Sequence, residues 1–541
     1  MIEVSQIRLP LNHQDSELEK ALLRKLRISK DHRFTWKVHR CSIDARKKGT
    51  DDIRLVYTIH IDAGSSEQDL ISKAKNSDIR ITESTVFNIG KTQGESYSQK
   101  PLIIGAGPCG YFAALYLARS GACPIILERG KEAGPRAQDV TRFWREGGTV
   151  DPESNVQFGE GGAGTFSDGK LYTGIKDRDG AVRLVLEELV SHGAPNDILF
   201  KGKPHIGTDR LIKVLRSIRK EILDLGGQIK FQSRVDDIII DSGSIVGVRT
   251  STGEELNSQN VILAVGHSAR DTFEMLHGYG IQMQSKPFSI GARIEHPQKM
   301  IDRSLYGSAA GHEKLGAAPY KFVHHHNKRK GRTCYSFCMC PGGLVVASSS
   351  EPGLTVTNGM SSYARADANA NSGFMVEVFP EDFQNSENPL SGIQFQREWE
   401  QKAFQTGDSD GRAPAQLLGD FMQNVQSSEI GNVIPSYRPG VIMTDIRECL
   451  PEYIVKVMQQ SVHGISKQID GFNRKDAVLT AAETRSSSPL RITRDSLMQS
   501  PSAKGLYPAG EGAGYAGGIL SAAVDGLRVA KALHTNVKSS F

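Results

Sequence analysis

The chain has 541 residues, of which 38% are hydrophobic and 55 are glycine. This composition is typical of a soluble globular protein and excludes collagen-like and disordered classes, and seven cysteines are too few for a disulfide scaffold of this length. The net charge of +5 is weak evidence for a polyanionic partner. Because the sequence has neither a long apolar run nor a basic and apolar leader, we predict a cytoplasmic protein without membrane spans.

Residues 1–95 are predicted to form a small α/β domain. Alternating apolar residues indicate strands at 2–11, 34–43 and 53–62, and a stripe of leucines indicates a helix at 16–28. The two later strands are close enough along the chain to pair as a hairpin.

The N-terminal region is locally basic. Residues 20–54 hold twelve Lys or Arg against four Asp or Glu. Such a surface could touch RNA or an acidic partner, but no aromatic RNA-binding run accompanies it, so we expect a solvated face and no nucleic-acid partner. The polar segment 91–100 is predicted to be a linker.

The sequence pattern changes at residue 101. A buried strand (PLIIGAG), a helix (CGYFAALYLARSG) and a second buried strand (CPIILERG) follow one another, which predicts a parallel sheet with a right-handed crossover. We divide the rest of the chain into a first part of a nucleotide-binding domain at 96–284, a strand-rich substrate or interaction domain at 285–475 with helices near 395–404 and 450–468, and a return to the nucleotide-binding domain at 476–541.

The strongest motif is a glycine turn between a strand and a helix, in the order that dinucleotide binding requires. Gly105 permits a tight turn, Gly107 allows a pyrophosphate to approach the backbone, and Gly110 lets the helix pack closely on the strand. Glu128 ends the next strand, where a carboxylate accepts hydrogen bonds from ribose hydroxyls. The turn residues that we predict to bind the cofactor are Gly105, Ala106, Gly107, Pro108, Cys109 and Gly110.

Two later segments favour FAD over NAD. Gly510 and Glu511 follow a strand-like segment and precede a helix that starts near Gly518 and Ile519, so the end of the chain returns to the nucleotide site. In flavoproteins such a return directs a helix N-terminus toward the flavin. The strand that ends at Val265 and Gly266 is a frequent second FAD contact, and Val235 lies where such proteins touch adenine through the backbone.

These segments resemble a family of bacterial and plastid proteins described as FAD-dependent or NAD(FAD)-utilizing dehydrogenases. The resemblance spans essentially the whole chain and includes NVQFGEGGAGTFSDGKL, CMCPGGLVV, AVLTAAETRSSSPLRI and LYPAGEGAGYAGGILSAAVDG. It implies a glutathione-reductase-type Rossmann FAD-binding domain, interrupted by a mixed α+β substrate domain and preceded by the small N-terminal α/β domain. It also implies that the loop containing Gly162 folds over the FAD. Arg129 and Arg136 are weaker candidates for contact with its phosphates or adenine.

Three cysteines lie near a run of three histidines at 324–326. Because Cys338 and Cys340 are two residues apart on a predicted strand, they share one face of it. The alternatives are small core residues, thiols near the flavin, and, with Cys334 and the histidines, a metal site. We favour core packing, predict no metal ligands, and keep Cys338 and Cys340 as candidate catalytic thiols.

Arg485 lies in a polar loop just before the C-terminal strand. It could orient an anionic substrate or stabilise negative charge on reduced flavin. The alternative is a structural pair with Glu or Asp.

We therefore predict an FAD-dependent oxidoreductase that transfers a hydride between the flavin and an unidentified small organic substrate. A nicotinamide donor, if one is used, would bind transiently, because only one strand-glycine-helix unit is present. The alternative is a regulatory or RNA-associated flavoprotein that uses the basic N-terminal domain. The sequence leaves the oligomeric state open.

Overall fold

The computed structural model describes residues 1–29, 34–46, 52–64, 67–83, 85–90, 97–171, 173–326 and 331–538. Most of the predicted linker at 91–100, and the predicted boundary at 95, lie outside these residues. Among the described residues, no helix has both the length and the apolar character that a bilayer crossing requires.

The N-terminal region forms a four-stranded antiparallel sheet with two helices, in agreement with the predicted strands and hairpin. Its strand order is β2-β3-β1-β4. Leucines of the first helix are buried against the sheet, as the predicted stripe requires. The elements are β1 (Ile2–Pro10), α1 (Asp15–Leu26), β2 (Thr35–Asp44), β3 (Arg54–Asp62), α2 (Glu67–Ala74) and β4 (Ile79–Ile81).

The next region builds a parallel sheet covered by helices and an antiparallel three-stranded sheet beside it. Short apolar strands that are buried on both faces explain the continuous apolar runs in the sequence. The elements are β5 (Leu102–Ile104), α3 (Pro108–Arg119), β6 (Ile125–Leu127), α4 (Ala133–Glu146), α5 (Ala181–Ser191), α6 (Thr208–Asp224), β7 (Gln228–Lys230), β8 (Val235–Asp241), β9 (Ser244–Thr250), β10 (Glu255–Asn257), β11 (Val261–Leu263) and α7 (Arg270–Gly278).

The following region is strand-rich, as predicted, and its two long helices lie where the sequence places them. The elements are β12 (Met283–Ser285), β13 (Phe288–Pro297), α8 (Gln298–Tyr306), β14 (Val323–His325), β15 (Thr333–Cys340), β16 (Leu344–Ala347), β17 (Thr357–Met360), β18 (Asn369–Val378), α9 (Ser391–Thr406), β19 (Ala413–Leu417), α10 (Leu418–Gln423), β20 (Val441–Met443), α11 (Glu452–Ser466) and β21 (Val478–Glu483).

Seven of these strands form one large sheet in the order β14-β15-β18-β13-β21-β19-β20. Side chains alternate across its faces. Ala292 and Ile294 of β13 enter an apolar core that includes Ile454 and Met458 of α11, whereas Arg293 faces the other way. Because β21 pairs with both β13 and β19, the predicted boundary after residue 475 cuts this sheet. The sheet therefore extends to Glu483.

The chain then returns to the parallel sheet. The last elements are β22 (Leu490–Ile492), which pairs with β12, β23 (Leu506–Pro508) and α12 (Ile519–Lys538). The parallel sheet has the order β23-β11-β5-β6-β7, so the last strand lies beside β11. Helix α12 packs on α3, where a Cβ on Gly526 would lie 2.1 Å from the carbonyl oxygen of Cys109. These features confirm a mixed α/β fold with a Rossmann-like sheet.

Candidate functional site

A cavity of about 460 Å³ lies at the carboxyl ends of the parallel strands. Ile104, Leu127 and Ala264, at or just after the ends of β5, β6 and β11, contribute to one wall, and residues of β15 and β21 contribute to the opposite wall. Ligands of open parallel sheets bind at this edge. The cavity is therefore the candidate functional site.

Each glycine of the Gly105–Gly110 turn has a different surrounding. Gly105 has φ +105°, and a Cβ there would lie 2.4 Å from the carbonyl oxygen of Ala264. A Cβ on Gly110 would lie 1.9 Å from the carbonyl oxygen of Gly105, so this residue is required for packing of α3. A Cβ on Gly107 would meet nothing closer than the Cα of Gly162, at 4.0 Å. The space beside Gly107 belongs to the cavity and suits a phosphate group at the N-terminus of α3.

Glu128 is buried at the end of β6 and lines the cavity. Its carboxylate accepts hydrogen bonds from the backbone N–H groups of Ala106 at 2.8 Å and of Gly130 and Gly159, both at 2.9 Å. It therefore joins the glycine turn to the 159–162 loop. An ionised carboxylate has about four acceptor sites, so Glu128 retains capacity for a ribose hydroxyl.

The two arginines predicted near the nucleotide have different positions. Arg129 lines the cavity, stacks over the ring of Phe158 at 4.1 Å, and pairs with Glu153 and Asp271. Arg136 is fully buried, and its guanidinium donates to carbonyl oxygens of the 155–162 loop. The structure therefore corrects the prediction for Arg136, which supports the loop from behind rather than facing the cavity.

The glycine-rich segment GEGGAG at 159–164 does not form a second nucleotide-binding unit of strand, glycine turn and helix. Gly162 begins a short 3-10 helix that ends at Phe166, and no strand precedes it among the described residues. Its backbone lies beside the glycine turn, since the N–H of Gly161 donates to the carbonyl oxygen of Ala106 at 2.8 Å. The loop closes one side of the cavity, as the resemblance implies.

The C-terminal segment contributes Glu511, Gly518 and Ile519 to the cavity. Burial raises the pKa of Glu511 to about 7, although Lys286 acts in the opposite direction. Gly518 has φ +137°, and a Cβ added to it would meet no atom within 4 Å, so it faces open space at the start of α12. Behind this wall, Gly510 donates its N–H to Asp525 at 2.7 Å.

The face of the seven-stranded sheet supplies charged groups to the other wall. Glu483 of β21 is buried and accepts a hydrogen bond from Arg293 at 3.0 Å. Burial raises the pKa of Glu483 to about 7, against the opposing effect of Arg293. Cys338 of β15 lies on the same wall, and Lys170 from the loop after Phe166 reaches it.

Arg485 is buried at the cavity wall in a network of charges. Its guanidinium pairs with Glu400 at 2.9 Å and donates to Ser350 at 2.6 Å. Glu400 also pairs with Arg270 at 2.7 Å, and the two guanidinium groups hold the pKa of Glu400 below its usual range despite its burial. These contacts agree with the alternative prediction, in which Arg485 forms a structural ion pair. Arg485 nevertheless lines the cavity.

Most of the predicted site residues come together here. Those that line the cavity are Gly105, Gly107, Pro108, Cys109, Glu128, Arg129, Gly162, Val235, Val265, Gly266, Cys338, Arg485, Glu511, Gly518 and Ile519. Those that are not among its lining residues are Ala106, Gly110, Arg136, Cys340 and Gly510. Cys109 is buried, and burial raises the pKa of its thiol.

Sequence reasoning did not assign Lys170, His267, Arg293 or Glu483. Burial, with Arg485 and Arg270, lowers the pKa of His267 to about 3, so its imidazole is neutral at the cavity wall. Lys170 lies in the segment GTFSDGKL and Glu483 in the segment AAETRSSSP. The polar character of these two segments was the sequence signal that could have identified both residues. Their partners lie far away in sequence.

Among the described residues, the cysteines and histidines of 324–340 form no group close enough to hold a metal ion. Glu3, His39 and His60 have ligand atoms within 4.8 Å of one another. However, the two imidazole rings are stacked at 3.9 Å, and Glu3 already pairs with Arg80.

The chain is similar to known proteins over most of its length. It is 44% identical over 530 residues to an uncharacterized protein of Clostridium beijerinckii, which covers 98% of both chains. The model of a family described as "FAD-dependent protein, C-terminal domain-like" matches residues 287–486. The chain and the Clostridium protein therefore belong to one family, and residues 287–486 match the C-terminal domain model of an FAD-dependent protein. FAD is accordingly its cofactor, and the open space beside Gly107 and the cavity around it fit such a group.

More distant similarities cover parts of the chain. Protein FixC of Escherichia coli K12 is 29% identical over 214 residues, which are 37% of this chain and 44% of that protein. A halogenase PltM variant solved in complex with FAD is 10% identical over 82% of this chain and 71% of its own, with a TM-score of 0.40. Glycine oxidase from Bacillus cereus is 11% identical over 81% and 98%, with a TM-score of 0.33. Both scores are low, so neither structure defines this fold. A domain of unknown function matches residues 1–62.

Proposed function

We propose that the chain is an FAD-dependent oxidoreductase that transfers a hydride between the flavin and a small organic substrate. The observation that carries this proposal is that one cavity joins the glycine turn at Gly107 to a polar wall containing Cys338, Glu483 and Arg485. The flavin supplies the redox chemistry when it is bound. The chain's part is to hold the cofactor, orient the substrate and exclude water.

The cofactor would be held by groups from three parts of the chain. The turn at Gly107 and the N-terminus of α3 suit the pyrophosphate, and Glu128 suits the ribose. Val235 and Gly266 offer backbone atoms, and Glu511 and the start of α12 suit the flavin end. This assignment supports a glutathione-reductase-type arrangement, with the FAD-binding parts separated by the substrate domain and preceded by the small N-terminal domain.

Two groups on the wall are suited to proton handling. Glu483, with a pKa raised to about 7 by burial, can hold or release a proton near neutral pH. His267 is neutral and lies within 2.9 Å of Ser268, so it can donate or accept a hydrogen bond there. Arg485 is fixed by Glu400 and contributes a positive charge close to the wall, which favours an anionic group in the cavity.

The proposal is tested on the purified protein. We expect a flavin absorbance spectrum and one FAD per chain, and bleaching of that spectrum under anaerobic conditions by a member of a panel of small organic reductants. Glu483→Gln should retain FAD but lose the pH dependence of bleaching near neutral pH. A protein that carries FAD but is not reduced by any panel member, and is not reoxidised by any acceptor, would contradict an oxidoreductase function.

A further inference from the structure

Cys338 and Cys340 lie at an irregularity in β15 that exposes one of them to the cavity. The register between β15 and β18 shifts between Phe337 and Cys340, and Cys338 has φ +41°, a left-handed conformation that is rare for residues other than glycine. Cys338 lines the cavity, whereas Cys340 is fully buried behind it. An irregularity of this kind redirects side chains next to functional sites.

Both sulfur atoms contact the same cation. Lys170 Nζ lies 3.9 Å from the Sγ of Cys338 and 3.6 Å from the Sγ of Cys340. Arg293 donates to the carbonyl oxygen of Cys338 at 2.8 Å. The Sγ of Cys340 also lies 3.3 Å from the carbonyl oxygen of Cys338, so the Cys340 side chain is close to the Cys338 backbone.

The surroundings make the two thiols unequal. The side-chain hydrogen bond with Cys340, together with Lys170 and Arg293, lowers the pKa of Cys338, whereas the same hydrogen bond, burial and the charge on Cys338 raise the pKa of Cys340. Asp168 opposes the lowering at Cys338. Glu483 and Glu511 also face the pair, and Cys338 raises the pKa of each of these carboxyl groups. The balance favours one thiolate beside one thiol.

We propose that Cys338 and Cys340 form a reversible dithiol–disulfide pair at the wall of the FAD cavity, in which Cys338 is the nucleophile and Cys340 is the resolving thiol. The class of co-reactant is a disulfide. This inference deepens the proposed oxidoreductase function and rests on it for the role of the cavity, but the chemistry of the pair can be tested independently.

The exchange balances in two steps. The Cys338 thiolate attacks a disulfide R–S–S–R, so that a Cys338–S–R bond forms and R–S⁻ leaves. The Cys340 thiol then loses its proton and attacks the Cys338 sulfur, which forms the Cys338–Cys340 bond and releases a second R–S⁻ that takes up the proton. The pair has lost two electrons and one proton in all, since Cys338 starts as a thiolate, and R–S–S–R is reduced to one thiolate, R–S⁻, and one thiol, R–SH.

The other cysteines do not have this setting. Cys334 lies on the same strand but is buried in an apolar core, and burial raises the pKa of its thiol. Cys41 and Cys123 are half-buried at other places in the molecule. They could react with an external disulfide without any relation to the cavity, so the test is made in a background in which both are Ser.

The probe is oxidised glutathione, added to the FAD-loaded protein in that background, with intact and peptide masses as the readout. We expect an internal Cys338–Cys340 disulfide and no stable adduct. Cys340→Ala should instead accumulate a glutathione adduct on Cys338, Cys338→Ser should give neither product, and Cys334→Ser should behave like the parent. Lys170→Met should slow formation of the adduct by about tenfold near neutral pH, because the thiolate loses a nearby positive charge.

The outcomes separate the two proposals. If the disulfide and the trapped adduct form but no substrate exchanges electrons with the flavin, the dithiol inference stands and the oxidoreductase proposal fails. If the flavin is reduced and reoxidised by substrates while Cys338 and Cys340 remain unmodified in every variant, the dithiol inference is overturned. Retention of FAD by each variant shows that the cavity has folded.

Discussion

At the scale of single residues, Glu128 combines the predicted ribose-binding position with a structural role that the sequence did not indicate. Its position at the end of β6 suits ribose binding, but in the structure its carboxylate also holds the N–H groups of Ala106, Gly130 and Gly159. Loss of the carboxylate should therefore loosen the glycine turn and the adjacent loop, and it should also weaken binding of the cofactor.

We expect Glu128→Gln to weaken FAD binding by roughly ten- to a hundredfold, because a charge-assisted hydrogen bond contributes about 1.5–3 kcal/mol. The NH2 group of the glutamine side chain would also face backbone N–H groups, which need an acceptor. The measurement is the Kd of FAD from flavin fluorescence during reconstitution of FAD-free protein. Glu429→Gln, at an exposed position, is the control and should bind as the parent does. Equal affinities for both variants would show that Glu128 is not a cofactor ligand.

Glu511 predicts a dependence of stability on pH. Its pKa in the folded protein is about 7, above the ordinary value for Glu, so folding favours its protonated form. The stability from this group is present below the unfolded pKa and is lost as the pH rises toward 7. In FAD-free protein, Glu511→Gln should therefore gain stability relative to the parent between about pH 5 and about pH 8, by about 1–2 kcal/mol because the side chain is partly exposed to the cavity. Denaturant unfolding at both pH values measures this difference, and a constant difference would contradict the raised pKa.

At the scale of elements, the turn between β5 and α3 separates two functions of glycine. A Cβ at Gly110 would lie 1.9 Å from a backbone oxygen, whereas a Cβ at Gly107 would lie in the cavity with nothing closer than 4.0 Å. The first glycine is required by packing of the chain against itself, and the second is required only by a ligand.

Two matched substitutions test this separation. Gly107→Ala should unfold at the same temperature as the parent when both lack FAD, but should bind FAD at least about tenfold more weakly, because its methyl group occupies the path of the pyrophosphate. Gly110→Ala should lower the unfolding temperature of the FAD-free protein, because the clash is with backbone. Thermal unfolding and FAD titration measure both effects. Full FAD affinity in Gly107→Ala would place the pyrophosphate elsewhere.

At the scale of the whole molecule, the described residues contain one unit in which a GxGxxG turn runs directly from a strand into a helix, that of β5 and α3, and FAD is expected to occupy it. A nicotinamide would then have no pyrophosphate site of its own. We expect NADH and NADPH to reduce the flavin slowly, with weak saturation and little preference between them. Anaerobic stopped-flow reduction is the measurement. Fast reduction with tight, NADPH-selective saturation would reveal a nicotinamide site within the seven-stranded sheet domain or its loops.

The parts of the fold whose signals are local could be predicted from the amino-acid sequence. The turn from Gly105 to Gly110 and the helix after it were predictable because glycine spacing and apolar runs act over a few residues. The return of Glu511 and the start of α12 to the cavity was predictable from the strand-like segment and the helix that flank the C-terminal glycines. The alternation of strands also predicted the N-terminal sheet and the strand-rich region.

Which side chains meet across the cavity could not be predicted from the sequence and depends on the three-dimensional packing. Arg136 faces a loop rather than the cavity, Arg485 is held in place by Glu400, and Lys170 reaches Cys338 from a distant segment. β21 joins a sheet that the sequence-based boundary had divided. Each of these contacts depends on strand order, register and a local bulge, which fix the positions of residues far apart in sequence and leave no periodic trace in either segment alone.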